Sequence, residues 1–289
     1  MSTVYLNGEY LPKDEATVPV DDRGFLFADG VYEVTPAYRG AFFRMDGHLE
    51  RMRRGLGELR IDFDPSGLPD MHRRLLAENG LEDEEVSIVY VQVTRGVAPR
   101  THAFPTGRVE PTVYAFAKEY RRPARDAWEK GFEAVTHPDR RWARVDIKTI
   151  ALLPNVLAQQ AAAEAGVADA LLVRDGMALE GAHNNFFAVF DGVVVTHPAS
   201  NVILGGITRD YVLDLCGETG TPVEERPIHV EELAHAEEAF FTGTTTEIRP
   251  CVRIDGRPVG EGRVGPVARR LFQAFLEGVG REAAGAGVG

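Results

Sequence analysis

Apolar and polar residues alternate on either side of Asn7-Gly8 in TVYLNGEYLP, which predicts a β-hairpin closed by a two-residue turn. The stretch DDRGFLFADGVYEVTPAYRGAFFRMDG then reads as a glycine-rich loop followed by strands. Between Gly47 and Leu59 the apolar side chains Leu49, Met52, Leu56 and Leu59 recur at helical spacing, and a second amphipathic helix is expected over Pro69 to Ala77. Val86 to Gly96 and Pro111 to Tyr120 are β-branched and apolar, as strands are. The composition turns charged and proline-containing in EYRRPARDAW, which marks a linker over 121–128. Beyond it come an alanine-rich helix of about Val156 to Ala165 and a β-meander with turns at Asp175-Gly176 and Asp191-Gly192. Helices are expected from Thr208, over Val230 to Ala236 and through Val267 to Leu276, with strands in AFFTGTTTEIRPCVRIDGRPV. The pattern is α/β with mixed sheets: an N-terminal domain over 1–120 and a C-terminal one over 129–289, its residues from about 280 a low-complexity, disordered tail.

A length of 289 residues, about twice the commonest domain size, agrees with that division. Composition changes the picture by exclusion. A net charge of −12 removes nucleic acid as the main partner, because phosphate backbones need a positive face. No apolar run approaches the length of a membrane helix, and the opening MSTVYLNGEYLPKDE is not a secretory signal, so a cytoplasmic protein is expected. Cys216 and Cys251 lack metal-type spacing, and no metal site is expected. Of the 32 basic residues only Lys13, Lys118, Lys130 and Lys148 are lysines, and Lys148 lies in an apolar stretch.

Lysine becomes a useful nucleophile when desolvation or a neighbouring cation lowers its pKa. In VDIKTIALL, Lys148 is either a Schiff-base lysine or a residue that snorkels from a strand end or pairs with Asp146. In ILGGITRD, the glycine pair precedes a helix whose Ile207 and Thr208 backbone N–H groups suit an anion, although an ordinary capped helix has the same pattern. Gly260 to Gly265 fits the spacing G-x-G-x-x-G, but Pro266 follows at once and too little chain remains for a nucleotide domain.

Seven ordered segments carry a collective signal: RGFLFADGVYE, HLERM, TRGVAPRTH, DIKTIALLPNVLA, ALLVRDGMALEGAHNNFF, ILGGITR and FFTGTTTEIRP. Their order and spacing resemble the fold type IV, class IV aminotransferases that use pyridoxal 5'-phosphate, and most of all the D-amino-acid aminotransferases. The resemblance extends from near residue 1 to about 276. It implies a two-domain α+β architecture with the active site between the domains. Lys148 is then the Schiff-base lysine and proton shuttle, and Glu180 meets the pyridine nitrogen. Arg51, the N–H groups of Ile207 and Thr208, and Thr244 bind the phosphate. Tyr32 traps the substrate α-carboxylate with Arg100 and His102 of the partner subunit, which implies a homodimer.

These roles match the residue types. A carboxylate beside the ring nitrogen keeps it protonated, so that the ring absorbs the carbanion's electrons. A phosphate dianion is suited by a guanidinium together with a helix N-terminus. The chain departs from the pattern at Ala182-His183-Asn184-Asn185, where relatives often carry serines, and at Gly243, where a hydroxyl is frequent. Both bear on substrate range. The expected reaction is two-step transamination between a D-amino acid and a 2-oxo acid. A branched-chain L-amino-acid aminotransferase, an (R)-amine transaminase and a 4-amino-4-deoxychorismate lyase are the alternatives on the same fold.

Overall fold

Asn7 and Gly8 both take positive φ, 50° and 99°, as a two-residue turn matched to the strand twist requires. They join β1 (Thr3–Leu6) to its antiparallel neighbour β2 (Glu9–Pro12). Where the sequence suggests only a loop, a short helix α1 (Arg23–Phe27) forms, because the Asp22 carboxylate accepts the Gly24 N–H at 2.7 Å. There follow β3 (Gly30–Tyr38), β4 (Ala41–Phe42), α2 (Met45–Leu59), α3 (Leu68–Glu78), β5 (Ser87–Thr94) and β6 (Thr112–Glu119). The six strands make an antiparallel sheet in the order β2-β1-β6-β5-β3-β4.

The alternation along β5 divides that sheet into two faces. Val89, Val91 and Val93 are buried, whereas Tyr90 and Gln92 between them are half-buried. The valines meet Met52 and Leu56 of α2 and Leu75 and Leu76 of α3 in one apolar core. At Gly55 of α2 an added Cβ would lie 3.1 Å from Val31 Cγ1 and 3.7 Å from Ile147 Cγ2. The missing side chain therefore lets the helix press closely onto β3.

His72 of α3 shares this core. Its Nδ1 lies 2.7 Å from the Leu68 carbonyl, and burial pushes its pKa down to about 4. An unfolded histidine titrates near 6.5, so between these values the unfolded state binds more protons. Stability should therefore fall as pH drops from about 6.5 towards 4, by up to about 3 kcal/mol from this group. Urea unfolding of the parent and of His72→Leu across that range checks this: the variant's curve should be flatter by that amount.

This computed structural model describes residues 2–286. Its contacts divide the chain into one unit of Met1–Arg121, Ile147–Ala151 and Gly280–Gly289, and a second of Arg122–Asp146 and Leu152–Val279. The sequence places Lys148 in the domain over 129–289; its contacts group it with the first unit instead. The reason is backbone pairing. Tyr32 N–H donates to the Lys148 carbonyl at 3.1 Å, Ile150 N–H donates to the Gly30 carbonyl at 3.2 Å, and Val31 bridges Thr149. The segment thus satisfies one edge of β3 that the sheet leaves open.

In the second unit, α4 (Arg125–Lys130) occupies much of the stretch expected as linker. Then come β7 (Phe132–Pro138), α5 (Leu153–Glu164), β8 (Asp169–Arg174), β9 (Met177–Gly181), β10 (Asn185–Phe190) and β11 (Val193–Thr196). They are followed by α6 (Ile207–Glu218), β12 (Val223–Glu225), β13 (Ile228–His229), β14 (Glu238–Gly243), β15 (Glu247–Ile254) and β16 (Arg257–Pro258). Val230–His235, expected as an α-helix, is a 3₁₀ helix. The sheet runs β12-β11-β10-β14-β15-β7-β8-β9-β13 with β16 on β15. A further pairing of β10 with β9, through Asn185 and Glu180, closes six of these strands into a ring. Phe186 and Phe241 help to fill its core.

The last helix, α7 (Pro266–Ala286), starts where the Glu238 carboxylate accepts the Val267 and Ala268 N–H groups at 2.9 and 2.8 Å. It continues past Leu276 into the expected tail, because Glu282, Ala283 and their neighbours are good helix formers. Residues 287–289 of that tail lie outside the described residues. Among the described residues, no helix is long and apolar enough to cross a membrane.

Candidate active site

In the first unit, successive residues of β3 serve opposite faces of the sheet. Tyr32 is half-buried on the outer face, and the Lys148 ammonium sits 4.2 Å from the centre of its ring. Tyr90 stacks behind Tyr32 with ring centres 5.5 Å apart. Lys148 is half-buried, whereas Lys13, Lys118 and Lys130 are exposed. Its neighbours Ile147 and Thr149 are buried, so the strand-like alternation of this segment turns Lys148 towards Tyr32.

Glu33 faces the other way and is buried against α2. The Arg51 guanidinium grips its carboxylate through Nε at 2.7 Å and Nη2 at 2.8 Å, and His48 Nδ1 lies 2.8 Å from Glu33 Oε2. His48 and Arg51 are three residues apart on α2 and so share one helix face. Although burial opposes it, Arg51 and His48 together hold the Glu33 carboxyl far below the usual carboxylate range. Burial lowers the His48 pKa, and the nearby Arg51 and Lys148 cations lower it further against the pull of Glu33.

Arg100 and His102 are exposed on the loop after β5. Both lie against Phe27, the Arg100 guanidinium 5.1 Å and the His102 ring 5.6 Å from its ring centre. Arg23 ties down this loop by donating to the Thr101 carbonyl at 2.7 Å. Among the described residues no hydrogen bond or ring contact joins Tyr32 to Arg100 or His102.

In the second unit, Glu180 stands where β9 meets β10 and is 4% exposed. Asn185, its cross-strand partner, donates through Nδ2 to Glu180 Oε2 at 2.9 Å and to the Leu204 carbonyl at 2.8 Å. The Leu204 N–H donates back to Glu180 Oε2 at 3.1 Å. Arg141 also pairs with Glu180, while its Nε holds Asp139 at 2.8 Å. Burial raises the Glu180 pKa, with Arg141 and the Leu204 N–H opposing the rise.

The same asparagine shapes the entry to α6. Gly206 caps that helix, and a Cβ there would fall 2.0 Å from Asn185 Oδ1. Among the described residues no side chain caps the α6 N-terminus, which leaves Ile207 and Thr208 in its first turn, suited to an anion. Thr244 lies, half-buried, in the turn between β14 and β15. Asn184, at the departure from serine, donates to Asp169 and, at 3.4 Å, to Thr246 Oγ1. Among the described residues the buried Thr242 Oγ1 and Asn184 Oδ1 lack hydrogen-bond partners, a polar capacity that would fit a phosphorylated, hydroxyl-bearing ring.

The structure thus places Tyr32 and Lys148 in one unit, where the sequence assigns them to different domains, and Glu180 and the α6 N-terminus in the other; the sequence names these residues as site candidates. It misses Glu33, His48 and Arg141. The signal for the first two was present: the helical spacing of His48 and Arg51, and the burial that β3 alternation assigns to Glu33. Arg141 gave no such signal, because DRRWAR reads as a solvated charge run.

The first unit thus carries a half-buried lysine beside a tyrosine, and the second a buried acid and a helix N-terminus. The family model for class IV amino-transferases matches residues 30–254, and the chain belongs to that family. It is 42% identical over 277 residues to the D-alanine aminotransferase of Staphylococcus haemolyticus, covering 95% of this chain and 97% of the relative. It is 38% identical over 283 residues to the D-alanine aminotransferase of Bacillus licheniformis, covering 97% and 98%. Among solved structures, the Escherichia coli branched-chain amino acid aminotransferase superposes with a TM-score of 0.88 at 28% identity, covering 96% of this chain and 94% of its own. The T.th. branched-chain enzyme with pyridoxamine 5'-phosphate gives 0.88 at 30%, covering 98% and 97%.

Proposed function

We propose that this chain transfers an amino group between a D-amino acid and a 2-oxo acid with pyridoxal 5'-phosphate as cofactor, working as a homodimer. One observation carries the choice of enantiomer. Identity to the D-alanine aminotransferases is 38–42% over nearly the whole chain, against 28% and 30% for the two branched-chain enzymes with which its fold superposes. The fold is common to both groups, so the side chains must make the difference.

The cofactor, when bound, supplies an aldehyde that condenses with amines and a ring that withdraws electrons from the adjoining carbon. Lys148 Nζ would be the amine that holds the cofactor's aldehyde, and as a free amine it would carry the substrate's Cα proton. Its seat beside Tyr32 restricts where the ammonium can move. Glu180, buried at the β9–β10 junction, would face the ring nitrogen and favour its protonated form. Arg51, the N–H groups of Ile207 and Thr208, and Thr244 hold the phosphate. Tyr32, with Arg100 and His102 of the partner subunit, holds the substrate carboxylate, Arg100 through two parallel hydrogen bonds.

The test uses single-enantiomer amino acids with 2-oxoglutarate and purified holoenzyme. D-alanine or D-glutamate should react at least about a hundredfold faster than L-leucine, the discrimination that misplacing a charged group commonly brings. Faster reaction with L-leucine would favour the branched-chain reading, which the superposition with two such enzymes supports. Turnover of primary amines alone would point to an (R)-amine transaminase. Pyruvate release from 4-amino-4-deoxychorismate, with no oxo-acid acceptor, would point to the lyase.

A further inference from the structure

We infer that Glu33 and His48 are positioning residues that act through Arg51, holding its guanidinium in the pose that receives the cofactor's phosphate. The inference rests on the reading of Arg51 as a phosphate ligand. It goes beyond that reading by giving a role to two buried groups that the chemistry at Lys148 does not use.

The geometry is a chain of three side chains. Arg51 is a long residue whose side chain carries substantial rotamer entropy when free. Here both Nε and Nη2 are pinned to the two oxygens of Glu33, at 2.7 and 2.8 Å. Such a fork-to-fork pairing fixes the plane of the guanidinium as well as its place. Glu33 is itself fixed: it lies on β3, is buried with 3% side-chain exposure, and is held from the other side by His48 at 2.8 Å. His48 is equally buried and sits one helical turn before Arg51 on α2, which Gly55 allows close to β3.

A structural ion pair alone would leave this arrangement unexplained. Burying a carboxylate against an arginine is often no better for stability than well-packed apolar groups. What the pair does supply is direction, and a preorganised cation binds an anion without first losing rotamer freedom. There is an opposing expectation, which makes the inference sharp. Glu33 also neutralises Arg51, so if only charge mattered, removing the carboxylate would strengthen phosphate binding.

The experiment measures equilibrium dissociation constants of the apoenzyme for pyridoxal 5'-phosphate and for pyridoxal, which lacks the phosphate. The proteins are the parent, Glu33→Gln, His48→Gln, Arg51→Gln and the double variant Glu33→Gln/Arg51→Gln. Glutamine keeps the shape of glutamate, and far-UV circular dichroism with thermal melting identifies any variant that fails to fold. His48→Gln then serves as the second, milder probe of the same chain.

If Glu33 acts through Arg51, Glu33→Gln should weaken the phosphorylated ligand about ten- to hundredfold, as loss of a charge-assisted hydrogen bond does, and leave pyridoxal nearly unchanged. His48→Gln should do the same to a smaller degree. Adding Glu33→Gln to Arg51→Gln should cost nothing more, because the pathway through Arg51 is already gone. Tighter binding of the phosphate by Glu33→Gln, an equal loss for both ligands, or a loss that persists in the Arg51→Gln background would overturn the inference. An Arg51→Gln protein that loses no phosphate preference would instead remove the underlying assignment of Arg51, and this inference with it.

Discussion

Replacing Lys148 by alanine should lower transamination by about 10⁴-fold or more, because one side chain supplies both the covalent anchor and the proton carrier. Either role alone is worth orders of magnitude, and no neighbour replaces the nitrogen. The three other lysines of the chain are exposed on the surface. The fold should survive. Lys148 contributes its carbonyl to the Tyr32 N–H at 3.1 Å, and alanine keeps that bond. The measurement is turnover of D-alanine together with a thermal melt and the visible absorption of the cofactor-loaded protein. An unchanged melt with turnover and absorption both lost is the expected pattern. Retained turnover would remove Lys148 from the chemistry.

The second large effect should come from Glu180→Gln. Glutamine keeps much of the shape and can still accept the Leu204 N–H, but it carries no charge to hold a proton on the ring nitrogen. The loss in kcat should be about 10²- to 10³-fold, the range seen when one preorganised electrostatic group is removed. The variant should also be less stable. Arg141 is buried and pairs with Glu180, and a buried cation deprived of a partner costs about 3 kcal/mol or more, a loss that its remaining ion pair with Asp139 limits. Cofactor affinity should change far less than kcat, because the phosphate end carries much of the binding. Steady-state kinetics, calorimetric melting and cofactor titration separate these effects. A fall in affinity with kcat untouched would make Glu180 a mere structural anchor.

How much of this was legible in the residues depended on distance along the chain. The Asn7-Gly8 turn and the face of α2 are local, and hydrophobic spacing with turn chemistry predicts them correctly. The family was legible through the order of the seven segments. What the chain concealed was non-local or locally ambiguous. Lys148 pairs with the edge of β3 more than a hundred residues earlier, so its domain could not be read from neighbours. Arg141 looks like solvated charge until Glu180 and Asp139 surround it. Alanine and glycine near the C-terminus read as a loose tail, yet helix propensity carries α7 through Ala286. The short helix α4 formed in a stretch where proline and charge suggest a linker.

The central claim concerns one nitrogen atom. Treating the cofactor-loaded protein with borohydride should fix the pyridoxyl group permanently to its lysine, and peptide mass mapping then identifies which of four lysines carries it. The account predicts stoichiometric label on the peptide containing Lys148 and none elsewhere. Label on Lys13, Lys118 or Lys130, or none on any lysine of a catalytically active preparation, would contradict it.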